Sequence, residues 1–129
     1  MRLYLLVVGL GLVLVALSYG VDPGAVLPKL MTITVEGTDQ TQIFRALMCL
    51  YLGMTTFCCI AAFNPAWQRV AVIWAVFFMF SIALGRLISL VVDGAPSRVL
   101  DVYLAVELLF GILGLCLLAR GGACPSSRR

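Results

Sequence analysis

The chain has 129 residues, 63% of them hydrophobic and only 12% charged. A soluble domain carries about 25% charged residues, so this composition excludes a water-soluble globule, a disordered chain and a basic nucleic-acid-binding domain. Histidine is absent and the formal net charge is +3, which leaves no Ser-His-Asp triad and no His-ligated haem, chlorophyll or zinc.

Four apolar runs cover residues 3–20, 43–63, 70–92 and 100–119. Each is close to the ~20 residues that cross a hydrocarbon core of about 30 Å. Backbone polar groups find no water there, so each crossing is expected to be helical. The expected fold is all-α: an antiparallel four-helix transmembrane bundle formed by a single domain, 1–129. The first run, with Arg2 before it and Ala16-Leu17-Ser18 near its end, resembles a secretory signal; it is read as a retained helix.

The connection 21–42 contains Pro23, Gly24 and Pro28. Val26, Leu27, Leu30 and Met31 recur there at helical spacing, a pattern that suits either a short interfacial helix or an ordered loop. Asp39 and Gln42 have the spacing of a capping box, which places the start of the second long helix near Gln40. Asn64-Pro65 starts the third, with Trp67 near the membrane interface. Asp93-Gly94 ends it, and Pro96-Ser97 leads into the fourth. Short connections make helices two to four antiparallel neighbours. The tail 120–129 is small, polar and basic, and is expected to be flexible and near anionic headgroups.

Loop charges give the threading. Arg2, Arg69, Arg120, Arg128 and Arg129 fall on one side, against Lys29 and Arg98 on the other. Basic flanks stay in the cytoplasm, so both termini are expected to be cytoplasmic. Asp22, Glu36, Asp39 and Asp93 join the opposite side.

Arg45, Arg86 and Glu107 interrupt the apolar runs. A charge at the bilayer centre costs about 2.5–3.5 kcal/mol on insertion scales, whereas an Arg–carboxylate pair satisfies both partners. Arg86 lies about 9 Å, and Glu107 about 10 Å, from the same membrane face at 1.5 Å per residue. The two are therefore expected to pair, with Arg45 approaching from the second span, Tyr103 donating its hydroxyl from the same face as Glu107, and Ser89 joining. Asp101 falls on another face, in a cap-like or interfacial role. Small residues at helical spacing, Cys49, Gly53 and Thr56 beside Arg45 and Gly111 and Gly114 beside Glu107, mark close helix contacts, as do Gly9 and Gly11. The cysteines show no metal spacing, and those in the spans read as small apolar residues. Cys124 is expected to face the reducing cytoplasm without a disulfide. No metal and no cofactor is implied.

The strings FRALMCLYLG (44–53), GRLISLVVDGAPS (85–97) and VELLFGILGL (106–115) resemble a widespread bacterial family of small four-helix membrane proteins catalogued as a domain of unknown function. The resemblance runs from about residue 3 to residue 118, and its motifs fall on Arg45, Arg86, Asp93, Gly94, Pro96 and Glu107. It implies the four-helix fold and assigns no activity. A looser likeness of layout to four-helix families with quinone or sterol associations transfers no function.

The sequence is thus read as a non-catalytic, multi-pass protein of the bacterial inner membrane, an accessory or scaffold subunit of a larger membrane assembly. Its expected partners are membrane lipids and other membrane-protein subunits, not nucleic acid. The alternative is a carrier or binder of a lipid-like or small anionic ligand, held by Arg45 and Arg86 in an outer-leaflet polar pocket. An enzyme ranks third, since Glu107 would have to act as acid or base without histidine.

Overall fold

The computed structural model describes residues 1–121. It contains α1 (Arg2–Gly20), α2 (Pro23–Leu30), α3 (Gly37–Phe63), α4 (Pro65–Val92) and α5 (Arg98–Gly121), with no strand among the described residues. α1, α3, α4 and α5 are each long and apolar enough to cross a membrane, the make-up of a multi-pass membrane protein. The tail beyond residue 121, with Cys124, lies outside the described residues.

Local chemistry sets the helix ends. Asn64 caps α4 as its sequence implies, its Oδ1 accepting from Ala66 N–H at 3.2 Å, with Pro65 in the first turn. α4 therefore begins at residue 65, and Asn64 alone connects it to α3. At its far end Asp93 N–H donates to Ser89 C=O at 2.7 Å, and Gly94 takes the left-handed conformation (φ 95°) that stops the helix. The capping box expected at Asp39 and Gln42 does not form. α3 starts earlier, at Gly37 (φ 82°), and the Gln40 side chain reaches back to accept from Glu36 N–H at 2.7 Å. A glycine that turns the chain sharply lets the helix begin before the polar residues end. Asp39 remains in the first turn, where it favours the helix dipole.

The connection 21–36 holds the short helix α2, capped by Asp22, whose Oδ1 accepts from Ala25 N–H at 3.1 Å. Its Leu27 and Met31 are buried with Tyr19, against Phe44, Val99, Leu100 and Tyr103. α2 thus covers one end of the long helices, here termed the α2 end. Met1, Phe63 and Arg120 gather at the other, the terminal end: Arg2 lies over the Phe63 ring, 4.6 Å from its centroid, and Met1 and Arg120 line one groove.

The core is built from α1, α3 and α4. Leu5, Val8, Leu12 and Ala16 meet Tyr51, Cys58, Ala61 and Ala62, with Ala71, Val72, Ala75 and Met79 closing the layer. The alanines let backbones approach closely, which matters in lipid, where the hydrophobic effect does not drive helices together. α5 packs mainly on α4 and adds few buried side chains to that core. Large apolar residues such as Leu10, Leu14, Phe77, Val91 and Ile112 point outward, as they do on helices surrounded by acyl chains.

Candidate functional site

Arg86 on α4 and Glu107 on α5 meet at the α2 end. Arg86 Nε donates to both carboxylate oxygens of Glu107, at 3.0 Å to Oε1 and 2.9 Å to Oε2. The side chains keep only 16% and 9% of their surface exposed. Shared burial is what equal depth on neighbouring helices produces, and it removes two charges from lipid at once.

Aromatic rings surround the pair. Tyr103, one turn before Glu107, places its ring 5.6 Å from the Arg86 guanidinium carbon, a cation–π contact. Tyr51 of α3 packs edge-on to Phe78 at 5.4 Å and tilted to Tyr19 at 6.1 Å, and Tyr19 stacks on Phe44. Tyr19 and Tyr51 both neighbour the guanidinium. These two tyrosines escaped the sequence reading. Their only signal is a phenol inside an apolar run, which carries a polar group that needs a partner.

The rest of the expected cluster is arranged differently. The Tyr103 hydroxyl does not reach Glu107; it lies 3.3 Å from Ser18 Oγ on α1. Ser18 gives its single hydrogen to Val15 C=O at 2.7 Å, so Tyr103 is the donor. Ser89 turns away as well, donating to Asp93 Oδ2 one turn on, at 2.7 Å, because a local carboxylate outcompetes the distant pair. Arg45 is exposed and makes no ion pair among the described residues. α3 meets its neighbours through Tyr51, Thr55, Cys58 and Ala62. Arg45 lies off that face, and so do Cys49, Gly53 and Thr56, all exposed. That stripe is an outer surface, not a contact within the chain. Asp101 sits exposed in the first turn of α5, and Pro96 lines a cleft beside Arg86.

The glycines divide similarly. A Cβ on Gly114 would collide with Val76 and Tyr4, and one on Gly111 would stand 2.9 Å from Phe80 Cζ. Gly9 approaches α3, and Thr55 Oγ1 donates to its carbonyl at 3.3 Å. Gly11, expected at a contact, has nothing within 4 Å of an added Cβ. It faces a cavity of about 60 Å³ walled by Tyr51, Met79, Tyr103 and Glu107. The cleft between α4 and α5, lined by Arg86, Ser89, Pro96 and Asp101, measures about 110 Å³. Both fall well short of the ~300–1,000 Å³ of a small-molecule pocket. Among the described residues no cluster of cysteines and carboxylates is placed to hold a metal ion. Chemically, the arrangement neutralises charge and fixes α4 against α5.

Neither a curated protein nor a solved structure matches the chain. A family profile does, over residues 1–118. With nearly its whole described length covered, the chain belongs to the family of the Domain of unknown function (DUF4345).

Proposed function

We propose that this protein is a non-catalytic accessory or scaffold subunit of the bacterial inner membrane, docked to another membrane protein through the outward face of α3. The reading includes an antiparallel threading of the long helices with both termini cytoplasmic. Arg2, Arg69 and Arg120 then flank the cytoplasmic side, in keeping with the distribution of basic residues in membrane loops. The association of Arg2 with Phe63 at one end and of Tyr19 with Phe44 at the other supports α1 and α3 running in opposite directions.

One observation carries the docking. Ala46, Cys49, Gly53 and Thr56 follow each other at steps of three and four residues along an exposed face, and a Cβ on Gly53 would meet nothing within 4 Å. Such a face admits the backbone of a second helix. Thr56 returns its hydroxyl to Leu52 C=O at 2.9 Å, so that hydroxyl is not left unpaired in lipid. Arg45, at the α2 end of the same face, offers a cation to a carboxylate on the partner.

Cys49 lies within the stripe and is free and exposed, which supplies the test. A short bifunctional thiol cross-linker applied to native membranes is expected to join Cys49 to one polypeptide at fixed stoichiometry. Gly53→Leu is expected to abolish the product without lowering thermal stability. Recovery of only uncross-linked monomer from native membranes would refute the docking.

A second reading rests on Arg86, whose side chain borders the α4–α5 cleft together with Pro96 and Asp101. A small anion, or the headgroup of a lipid-like ligand, fits there. Native mass spectrometry in inorganic phosphate would then show an adduct that disappears in Arg86→Leu/Glu107→Leu.

A further inference from the structure

α1 and α5 are the first and last long helices, and Tyr4 bridges them. Its hydroxyl donates to Phe110 C=O at 2.9 Å, and the two rings lie 6.3 Å apart. On the terminal side of this bridge the seam widens into a groove of about 470 Å³, with Leu3, Val7, Leu113 and Cys116 on its walls and Arg120 at its foot. Unlike the two spaces near Arg86, it falls within the size range of ligand pockets.

Charge distinguishes the end of the molecule at which this groove opens. All the acidic residues of the sequence, Asp22, Glu36, Asp39, Asp93, Asp101 and Glu107, belong to the α2 end or to the ion pair. The terminal end carries Arg2, Arg69 and Arg120 and has no carboxylate side chain. Arg2 is occupied over Phe63; Arg69 and Arg120 are both exposed and make no ion pair among the described residues, and of these two it is Arg120 that lines the groove. Length agrees as well. From Arg120 to Phe110 the helix rises about 15 Å at 1.5 Å per residue, half of a hydrocarbon core of about 30 Å. A groove about that long on its α5 wall, apolar along its sides and with a cation at one end, suits an acyl chain beneath an anionic headgroup.

We infer that this groove is a binding site for a single phospholipid with an anionic headgroup, one acyl chain lying between α1 and α5 and the phosphate resting on Arg120. The Tyr4–Phe110 bridge stops the chain end. This site lies at the opposite end from Arg86 and does not depend on the docking face of α3.

The test uses the full-length protein reconstituted with equimolar phosphatidylglycerol and phosphatidylcholine, read by native mass spectrometry. One lipid is expected to stay with each chain, with phosphatidylglycerol preferred about fivefold, the factor one arginine near a membrane surface contributes. Arg120→Gln is expected to abolish the preference while lipid remains bound. Val7→Trp, which fills the groove from an exposed position, is expected to remove both lipids while helix content is unchanged. Equal retention of the two lipids by the unaltered protein would overturn the inference, as would retention unaffected by Val7→Trp. Displacement by glycerol phosphate, which has no acyl chain, would reduce the site to a headgroup contact and overturn it too. So would a dimer in place of the lipid adduct, which would assign the groove to a second copy.

Discussion

The two faces of α3 use similar residues for opposite ends. Toward α1 it presents Met48, Thr55, Cys58 and Ala62, and a Cβ on Gly20 of α1 would run into Met48. Away from α1 it presents Ala46, Cys49, Gly53 and Thr56, with open space beyond Gly53. Charge repeats the contrast. Arg86 turns inward and finds Glu107, while Arg45 turns outward and finds nothing among the described residues. Small residues at helical spacing therefore mark a surface built for close approach; what approaches depends on the knob that faces them. On the inner face that knob belongs to the same chain.

The contrast can be broken most sharply at the ion pair. Glu107→Ala leaves the buried Arg86 cation without its partner and is expected to lower stability by about 3–5 kcal/mol. Adding Arg86→Leu is expected to restore much of the loss, because no charge is then stranded. Unfolding in mixed micelles by a denaturing detergent, followed by circular dichroism, measures both, and equal stability of the single and double variants would contradict the pairing. The glycines give opposite signs. Gly20→Ala forces Met48 and the backbone apart and is expected to cost about 1–3 kcal/mol. Gly53→Ala meets nothing and is expected to stabilise α3 by up to about 1 kcal/mol through helix propensity. The same titration separates them. The smallest effect compares adjacent threonines. Thr55→Val removes the hydrogen bond to Gly9 and is expected to cost about 0.6 kcal/mol, the average for such bonds in membranes. Thr56→Val removes only a bond within its own helix and is expected to change stability less than Thr55→Val does.

What the sequence disclosed follows from which coordinate is at stake. Depth can be counted along a helix, so Arg86 and Glu107 could be matched from their distances to one membrane face. Punctuation is local, so Asn64-Pro65 and Asp93-Gly94 mark real helix ends. Azimuth is harder, because a membrane helix is apolar all round and its pattern does not show which side turns inward. Arg45 was at a plausible depth on the wrong side. Tyr103 had the right face for Arg86, but its hydroxyl met Ser18 from α1, a neighbour that no loop length announces. The early start of α3 is not legible in the sequence pattern because it depends on a left-handed Gly37, two positions before the acidic residue of the expected capping box.

The single-residue link at Asn64 has a mechanical consequence. It joins two rods of about 40 Å each, so neither can slide along its length past the other. Relative motion must be a splaying, pivoted at Asn64 and widest at the far tips. Arg86 sits toward one of those tips, and its partner is on α5. The ion pair therefore does not bridge the hinge itself; it ties the outer part of α4 to α5, so any splaying of α4 from α3 must carry α5 with it.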